Sequence, residues 1–260
     1  MDWVYAFSGL LVGLAVGFTG VGGGSLMTPL LVLIFNVSPV IAVGTDLLYA
    51  SITKMAGAFV HQKCGTVDWK AVGLLSAGSL PTTLLIALLL KHLSLDERVM
   101  GNLVSSVLSA ALLLTAAVLL FKDSIRKALL SRNSNAHESH HRHLAAATIA
   151  TGAVAGALVT VSSIGAGVLG TVSLLFLYPR MSTAKVVGTD IAHAVPLTAI
   201  AGMCHLALGT VDLKLLANLL IGSLPGICIG SHLSSKVPEK ALRPLLAVML
   251  ALIGGKMIIS

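Results

Sequence analysis

Two glycine-rich clusters, each just before a short apolar run, are the residues best suited to bind a small ligand. Residues 20–25 read Gly-Val-Gly-Gly-Gly-Ser, and residues 162–167 read Ser-Ser-Ile-Gly-Ala-Gly. Glycine runs disfavour continuous helix, and a helix that begins after one, at Ser25 or Val168, would point N–H groups and its positive dipole end at an anion. The candidate substrate-binding residues are Gly20, Gly22, Gly23, Gly24, Ser25, Ser162, Ser163, Gly165 and Gly167. Close helix packing through small residues is the alternative explanation.

Four ionisable residues inside apolar segments form a second candidate site, which would couple ion movement to another process. Lys54 follows Asp46 by two helical turns, and His193 follows Asp190 by three residues, so each pair lies roughly on one helix face. An aspartate at the centre of a membrane helix costs about 2.5–3.5 kcal/mol on insertion scales, so it normally faces a cavity or a partner. Proton exchange between Asp190 and His193 is one explanation. Helix capping by Thr45 or Asp46 is the other.

The composition places these residues in a membrane. Of 260 residues, 56% are hydrophobic and only 10% are charged, with a mean hydropathy of +0.96, whereas a soluble domain has about 25% charged residues. This excludes a cytosolic enzyme, a nucleic-acid-binding protein and a disordered protein. The net charge of +7 fits basic cytoplasmic loops better than nucleic acid. We expect no catalytic residues and no cofactor, and the three widely spaced cysteines predict neither a disulfide framework nor a zinc site.

Ten apolar segments separated by polar breaks predict an all-α polytopic membrane protein, because none alternates like a barrel strand. The segments are 3–19, 24–36, 39–60, 70–90, 98–121, 144–163, 167–179, 184–206, 213–232 and 241–258. Two of them, 24–36 and 167–179, are too short to cross a hydrocarbon core of about 30 Å as straight helices. We therefore predict short, broken helices after the two glycine clusters.

An internal repeat divides the chain. Residues 43–83 align without a gap with residues 187–227, an offset of 144 (187 minus 43). The shared polar words are Val-Gly-Thr-Asp, Gly-Thr-Val-Asp-x-Lys and Gly-Ser-Leu-Pro, and His61 matches His205. The predicted organisation is a first transmembrane repeat at 1–121, a polar linker at 122–143 and a second repeat at 144–260. Duplicated halves are typical of secondary transporters.

The basic residues predict how the repeats are oriented. If each segment crosses once, five per half, the loops on one side hold twelve Lys and Arg residues and the loops on the other side hold four. This bias places the first set in the cytoplasm and both termini outside, in a multi-pass protein with inverted repeats. Four histidines in the linker, between 137 and 143, suit either weak metal binding or a solvated cytoplasmic linker.

The glycine cluster at 20–25 with Pro29, the Val-Gly-Thr-Asp words and the duplicated halves resemble the TauE/SafE sulfite-exporter family over nearly the whole chain. The resemblance implies an inner-membrane permease for sulfite, sulfonates or related sulfur oxyanions, driven by an ion gradient. The second half departs from the family pattern. Ser-Ser-Ile-Gly-Ala-Gly replaces the triple glycine, and Ser173 stands near the place expected for a proline.

These observations together predict a secondary transporter for a small anion. The backbone at the two glycine clusters would bind the anion, while Asp46, Asp190, His193 and Lys54 would couple its movement to a proton or sodium ion. Two alternatives stay open. One is a cation or proton-linked carrier that uses Asp46 and Asp190 as ligands, and the other is a membrane scaffold without transport activity.

Overall fold

A computed structural model describes residues 3–19, 24–93, 96–132, 141–165, 167–233, 247–248 and 250–257. Every regular element in these ranges is an α-helix. The helices are α1 (Trp3–Thr19), α2 (Gly24–Leu33), α3 (Pro39–Lys63), α4 (Trp69–Leu93), α5 (Glu97–Arg132), α6 (His141–Ser162), α7 (Val168–Leu177), α8 (Thr183–Ala207) and α9 (Leu213–Leu233). Residues 247–248 and 250–257 are also helical. The predicted all-helical fold is confirmed, and each helix covers one of the predicted apolar segments.

The two short helices lie where the glycine clusters predict them. α2 and α7 have 10 residues each. At 1.5 Å per residue each is about 15 Å long, which is half the thickness of a hydrocarbon core of about 30 Å. The prediction of short, broken helices is therefore confirmed.

Four helical stretches in the described ranges are long and apolar enough to cross a membrane. They are Trp69–Leu93, Arg98–Phe121, Leu144–Ser162 and Thr183–Ala207, and shorter apolar stretches occur at Trp3–Ala15 and Leu213–Ile229. α3 has 25 residues as well, but Asp46, Lys54 and several hydroxyl residues lie among its buried residues. Part of α3 is therefore buried together with polar side chains.

The two halves are interleaved through two helix pairs. α1 packs along α9, and α4 packs along α6, so each pair contains one helix from each half. Glycines bring the backbones together, because a Cβ added at four positions would collide with the facing backbone. The colliding pairs are Gly9 with Leu219, Gly13 with Ser223, Gly152 with Leu75 and Gly156 with Ser79. The same contact is therefore built twice from equivalent residues.

α3 and α8, the equivalent helices of the repeat, pack against each other in opposite directions. The Thr45 hydroxyl near the start of α3 accepts the backbone N–H of Asp212, just after α8 ends, at 3.0 Å. The Thr189 hydroxyl near the start of α8 accepts the N–H of Asp68, just after α3 ends, at 2.9 Å. Each helix thus begins beside the end of the other. Two halves that cross the bilayer in opposite directions require equivalent helices to run antiparallel, as α3 and α8 do. Which ends of these helices face the cytoplasm stays a prediction.

The aspartates before α4 and α9 cap those helices. An Oδ1 atom of Asp68 accepts the N–H groups of Lys70 and Ala71, both at 3.2 Å, and the Oδ1 atom of Asp212 accepts that of Leu215 at 2.9 Å. Side-chain oxygens at this position satisfy N–H groups that have no partner within the helix. Both aspartates therefore act as N-terminal helix caps.

An ion pair distinguishes the Asp68 end of the molecule. The Oδ2 atom of Asp68 lies 3.0 Å from the ammonium nitrogen of Lys185, and both side chains are partly exposed. Burial raises the pKa of Asp68, but the hydrogen bond and charge of Lys185, with the N–H groups of Ala71 and Lys70, outweigh burial and hold the pKa below its ordinary value. At the equivalent place near Asp212 the chain has Ile41 (185 minus 144), which cannot form such a pair.

Helical structure enters both ends of the predicted linker. α5 continues to Arg132 and α6 begins at His141, so the predicted polar stretch at 122–143 is helical at its margins. His137 and His140 lie outside the described residues. Within the part of the chain that the structure describes, no three metal-ligating side chains form a group.

Candidate functional site

The first glycine cluster lies mostly outside the described residues. Gly20, Gly22 and Gly23 belong to the part that is not described, while Gly24 is the first residue of α2 and Ser25 is the second. The role predicted for this cluster in binding an anion stays a prediction.

In the second cluster, both serine hydroxyls bind the protein itself. Ser162 ends α6, and its hydroxyl donates to the Leu158 carbonyl at 2.7 Å and accepts the Ile164 N–H at 3.3 Å. Ser163 has a left-handed φ of 56°, and its hydroxyl donates to the Asp46 carboxylate at 2.8 Å. Ser163 therefore ties the second cluster to a helix of the first half.

The backbone of the second cluster also bonds partly to itself. The Gly165 carbonyl accepts the N–H of Gly167 at 2.9 Å and that of Gly170 at 3.2 Å. Gly165 has a φ of 120°, a conformation that side chains disfavour. An anion held by these N–H groups must therefore compete with the Gly165 carbonyl.

Asp46 is fully buried where α2, α3 and the turn after α6 meet. Its Oδ2 atom accepts hydrogen bonds from the hydroxyls of Thr28 at 2.5 Å and Ser163 at 2.8 Å. Its Oδ1 atom has no hydrogen-bond partner among the described residues. Asp46 lies well inside α3, so it does not cap that helix. Thr45 does accept a backbone N–H, which belongs to Asp212 in the other half.

Asp190 occupies the equivalent place on α8 and is nearly as buried. Its Oδ2 atom accepts the hydroxyl of Thr171 on α7 at 3.3 Å. Thr171 corresponds to Thr28 with a slip of one residue in the repeat, since 171 minus 28 is 143. One turn beyond Asp190, the buried imidazole of His193 has its Nε2 atom 2.9 Å from the Ser79 hydroxyl of α4.

Lys54 joins the two aspartates electrostatically. It is 7% exposed, and its charge interacts with Asp190, more weakly with Asp46, and with His193. The four residues predicted for coupling therefore form one buried cluster. Two carboxylates and one ammonium leave a formal charge of −1 with a neutral histidine, and a buried net charge is costly. The cluster is thus suited to take up a proton or another cation.

A cavity of about 400 Å³ adjoins the Asp190 end of this cluster. A Cβ added at Gly170 would collide with the Asp190 carboxylate, so the absence of a side chain there opens the carboxylate to the cavity. The lining is mainly apolar. It comprises Leu75, Leu114, Ala150, Thr151, Val154, Ala155, Leu158, Gly165, Leu169, Gly170, Ser173, Asp190 and His193. Of the predicted substrate-binding residues, Gly165 is the one in this list.

Sequence reasoning missed the hydroxyl and glycine neighbours of the charges. Thr28 and Thr171 hydrogen-bond the two aspartates, Ser79 contacts His193, and Gly170 adjoins Asp190. The repeat could have revealed Thr28 and Thr171. An offset of 143 residues, one less than in the main alignment, aligns the two short helices and places the two threonines at equivalent positions.

Comparisons with known proteins find a family model and several relatives that match the chain. A family model described as "Sulfite exporter TauE/SafE" matches residues 5–257. The chain is 37% identical over 250 residues to the "Probable membrane transporter protein YjnA" of Bacillus subtilis (strain 168), covering 96% of this chain and 97% of that protein. It is 25% identical to the "Probable membrane transporter protein YdhB" of the same organism, covering 94% and 95%. No solved structure matches the chain.

Proposed function

The chain belongs to the TauE/SafE sulfite exporter family and is a multi-pass membrane transporter of that type, and on this premise we propose that it carries a small anion across the bacterial inner membrane together with protons. The anion is sulfite, a sulfonate or a related sulfur oxyanion. The observation that carries the proposal is the cavity of about 400 Å³ with Asp190 and His193 in its lining, beside a buried lysine whose charge interacts with both.

Electrostatics link the anion to a proton. Two like unit charges about 5 Å apart repel by about 3 kcal/mol at an effective dielectric constant near 20. An anion in the cavity would therefore meet an ionised Asp190 unfavourably. A proton taken up by Asp190 or His193 removes that repulsion and leaves the charge of Lys54 to attract the anion. Release of the proton on the other side of the membrane would then expel the anion.

Alternating access would involve the interleaved helix pairs. Transporters with repeated halves move one bundle against another around a central site. Here the two helix pairs that pack closely through glycines are α1 with α9 and α4 with α6. Each pair contains a helix from each half. The pairs are therefore better candidates for the rigid bodies than the sequence halves are. The antiparallel helices α3 and α8, which hold Asp46, Lys54, Asp190 and His193, would form the axis between them.

A flux assay tests the proposal. The purified full-length protein in proteoliposomes is given labelled sulfite, a short alkanesulfonate or thiosulfate, with and without a pH gradient. We expect saturable uptake of at least one of these anions, and a pH gradient should drive its accumulation. Asp190→Asn should abolish the response to the pH gradient. Asp212→Asn, a change of the same kind at a helix cap outside the cluster, should keep it. A folded protein that moves none of the three anions would contradict the proposal.

A cation or proton-linked carrier is the second candidate function, because Asp46 is buried among oxygen donors, with Thr28 and Ser163 beside its carboxylate. Such a carrier would move protons or sodium in the absence of a sulfur oxyanion. Measurement of ion flux without an anion separates the two candidates. Proton or sodium flux that persists when both aspartates are changed to asparagine would argue against this second candidate.

A further inference from the structure

We infer that Asp46, Thr28 and Ser163 form a binding site for a sodium ion, distinct from the proton-accepting pair of Asp190 and His193. The inference rests on the proposed function only for the role of the ion in transport. The binding itself follows from the geometry of the three residues.

Four oxygen atoms converge at this place from three separate elements. They are the two carboxylate oxygens of Asp46 on α3, the hydroxyl of Thr28 on α2 and the hydroxyl of Ser163 after α6. All three residues are at most 3% exposed. One carboxylate oxygen, Oδ1, has no hydrogen-bond partner among the described residues. A buried oxygen without a partner is costly, and coordination of a cation would satisfy it.

The donor chemistry favours a hard monovalent cation. Carboxylate and hydroxyl oxygens suit hard cations, and nitrogen or sulfur ligands suit transition metals. Calcium sites in proteins usually contain several carboxylates, whereas Asp46 supplies one.

The backbone at the site also favours a cation. α6 ends at Ser162, and Ser163 follows in a left-handed conformation. The C-terminal end of a helix carries a partial negative charge, and the C-terminal ends of interrupted helices coordinate sodium in known transporter folds. Ser163 therefore contributes both its hydroxyl and the negative end of α6.

Charge balance gives the ion a role in transport. The buried cluster has a formal charge of −1, and a singly charged anion in the cavity lowers the sum to −2. A proton on Asp190 or His193 and a sodium ion at Asp46 return the sum to zero. The Asp190 place suits a proton better, because the Thr171 hydroxyl lies farther from the carboxylate, at 3.3 Å, and an imidazole is its neighbour.

Sodium-dependent stability tests the site without any transport substrate. The full-length protein in nanodiscs is heated at increasing NaCl, with choline chloride keeping the ionic strength and chloride constant. We expect the unfolding temperature of the wild type to rise saturably with sodium, since a ligand that binds only the folded state stabilises it. Potassium should act more weakly.

Variants connect the effect to the three residues. Asp46→Asn should abolish the sodium-dependent rise, and Asp190→Asn should keep it. Thr28→Val and Ser163→Ala should each raise the half-saturating sodium concentration roughly tenfold, the effect of losing about 1.4 kcal/mol of interaction. These two variants carry the test if Asp46→Asn does not fold.

Three results would overturn the inference: equal unfolding temperatures of the wild type in sodium and choline, a sodium response retained in Asp46→Asn, or a response lost equally in Asp190→Asn. The outcome is separate from that of the proposed function. Proton-driven anion uptake without a sodium response would refute the site alone. A sodium response without anion uptake would support the site and count against the proposed function.

Discussion

Asp46 and Asp190 stand at equivalent places in the two halves, but their neighbours differ. Asp46 accepts two hydroxyl hydrogen bonds, from Thr28 and from Ser163 of the other half. Asp190 accepts the hydroxyl of Thr171 and lines the cavity. The repeat therefore supplies the same carboxylate twice, once among oxygen donors and once beside open space.

Four substitutions between the halves produce this difference. Gly170 replaces the fully buried Met27, His193 replaces Tyr49, Ser163 replaces Gly20, and Lys54 has Thr198 as its counterpart. The Tyr49 hydroxyl lies beside that of Ser223, at the place equivalent to the contact between His193 and Ser79. The comparison shows how a duplicated scaffold can keep its helix packing while its two carboxylates acquire different chemistry.

The largest expected effect comes from adding a side chain beside Asp190. Gly170→Ala would displace the carboxylate, because the new Cβ collides with it. We expect anion uptake in proteoliposomes to fall about 100-fold, as when a reacting group is misplaced by about 1 Å. Met27→Ala is the matched change in the other half. It should lower the free energy of unfolding by about 2–5 kcal/mol and leave uptake per folded molecule nearly unchanged. Normal anion uptake in Gly170→Ala would show that the open space beside Asp190 does not make the two halves differ in transport.

Exchange of His193 for its counterpart should flatten the pH dependence of uptake. Histidine is the side chain whose ordinary pKa lies between pH 5 and 8, and tyrosine titrates near pH 10. The wild type should lose anion affinity by about tenfold per pH unit once the proton is lost, and His193→Tyr should lose less than about threefold over the same pH range. Tyr49→Phe is the control and should leave the pH profile of uptake unchanged. An unchanged pH profile in His193→Tyr would exclude histidine from the coupling.

Ser163 should show opposing effects of hydrogen bonding and backbone conformation. Ser163→Ala loses a hydrogen bond to a charged group, worth about 1.5–3 kcal/mol of stability. Ser163→Gly loses the same bond but relieves a left-handed backbone that costs a residue with a side chain about 1–2 kcal/mol. Chemical denaturation in detergent should therefore rank wild type above Ser163→Gly and Ser163→Gly above Ser163→Ala. The reverse order of the two variants would show that the left-handed backbone at Ser163 costs little, and wild-type stability in Ser163→Ala would show that the hydrogen bond to Asp46 matters little.

The smallest expected effect concerns the ion pair between Asp68 and Lys185. Both side chains are partly exposed, so Lys185→Met should lower stability by less than about 1 kcal/mol, and less at high salt. The pKa of Asp68 is lowered in the folded protein, so the contribution is complete above its unfolded pKa of about 3.9 and disappears as the pH falls through the folded value. Ile41→Lys tests the equivalent place in the other half of the repeat, where the new lysine should form an ion pair with Asp212. An effect of Lys185→Met that is equal at pH 7 and pH 3 would contradict the ion-pair explanation.

Much of the fold was predictable because a bilayer restricts the chain to helices. The polar breaks located the helices, and the glycine clusters located the short ones. The continuation of α5 to Arg132 was not apparent, since charged residues with good helix propensity extend the helix past its apolar segment. The interleaving was also hidden, because contacts such as Gly9 with Leu219 depend on backbone approach between segments far apart in sequence.

The charged part of the site was predictable for the same reason. Few charges lie inside apolar segments, so Asp46, Lys54, Asp190 and His193 were conspicuous. Thr28 and Thr171 were not, because hydroxyls in membrane helices often bond only to their own backbone, as Thr198 does to the Ala194 carbonyl at 2.8 Å. Ser163 was identified, but as an anion ligand, whereas its hydroxyl donates to Asp46.

The central claim is that the Asp190 half of the cluster accepts the coupled proton and the Asp46 half does not. A pH indicator enclosed in proteoliposomes, with an imposed sulfite or sulfonate gradient, measures protons moved for each anion. We predict the same ratio of protons to anions in the wild type and in Asp46→Asn, even where the variant is slower, and no proton movement in Asp190→Asn. Proton movement that persists in Asp190→Asn, or that disappears in Asp46→Asn alone, would contradict the account.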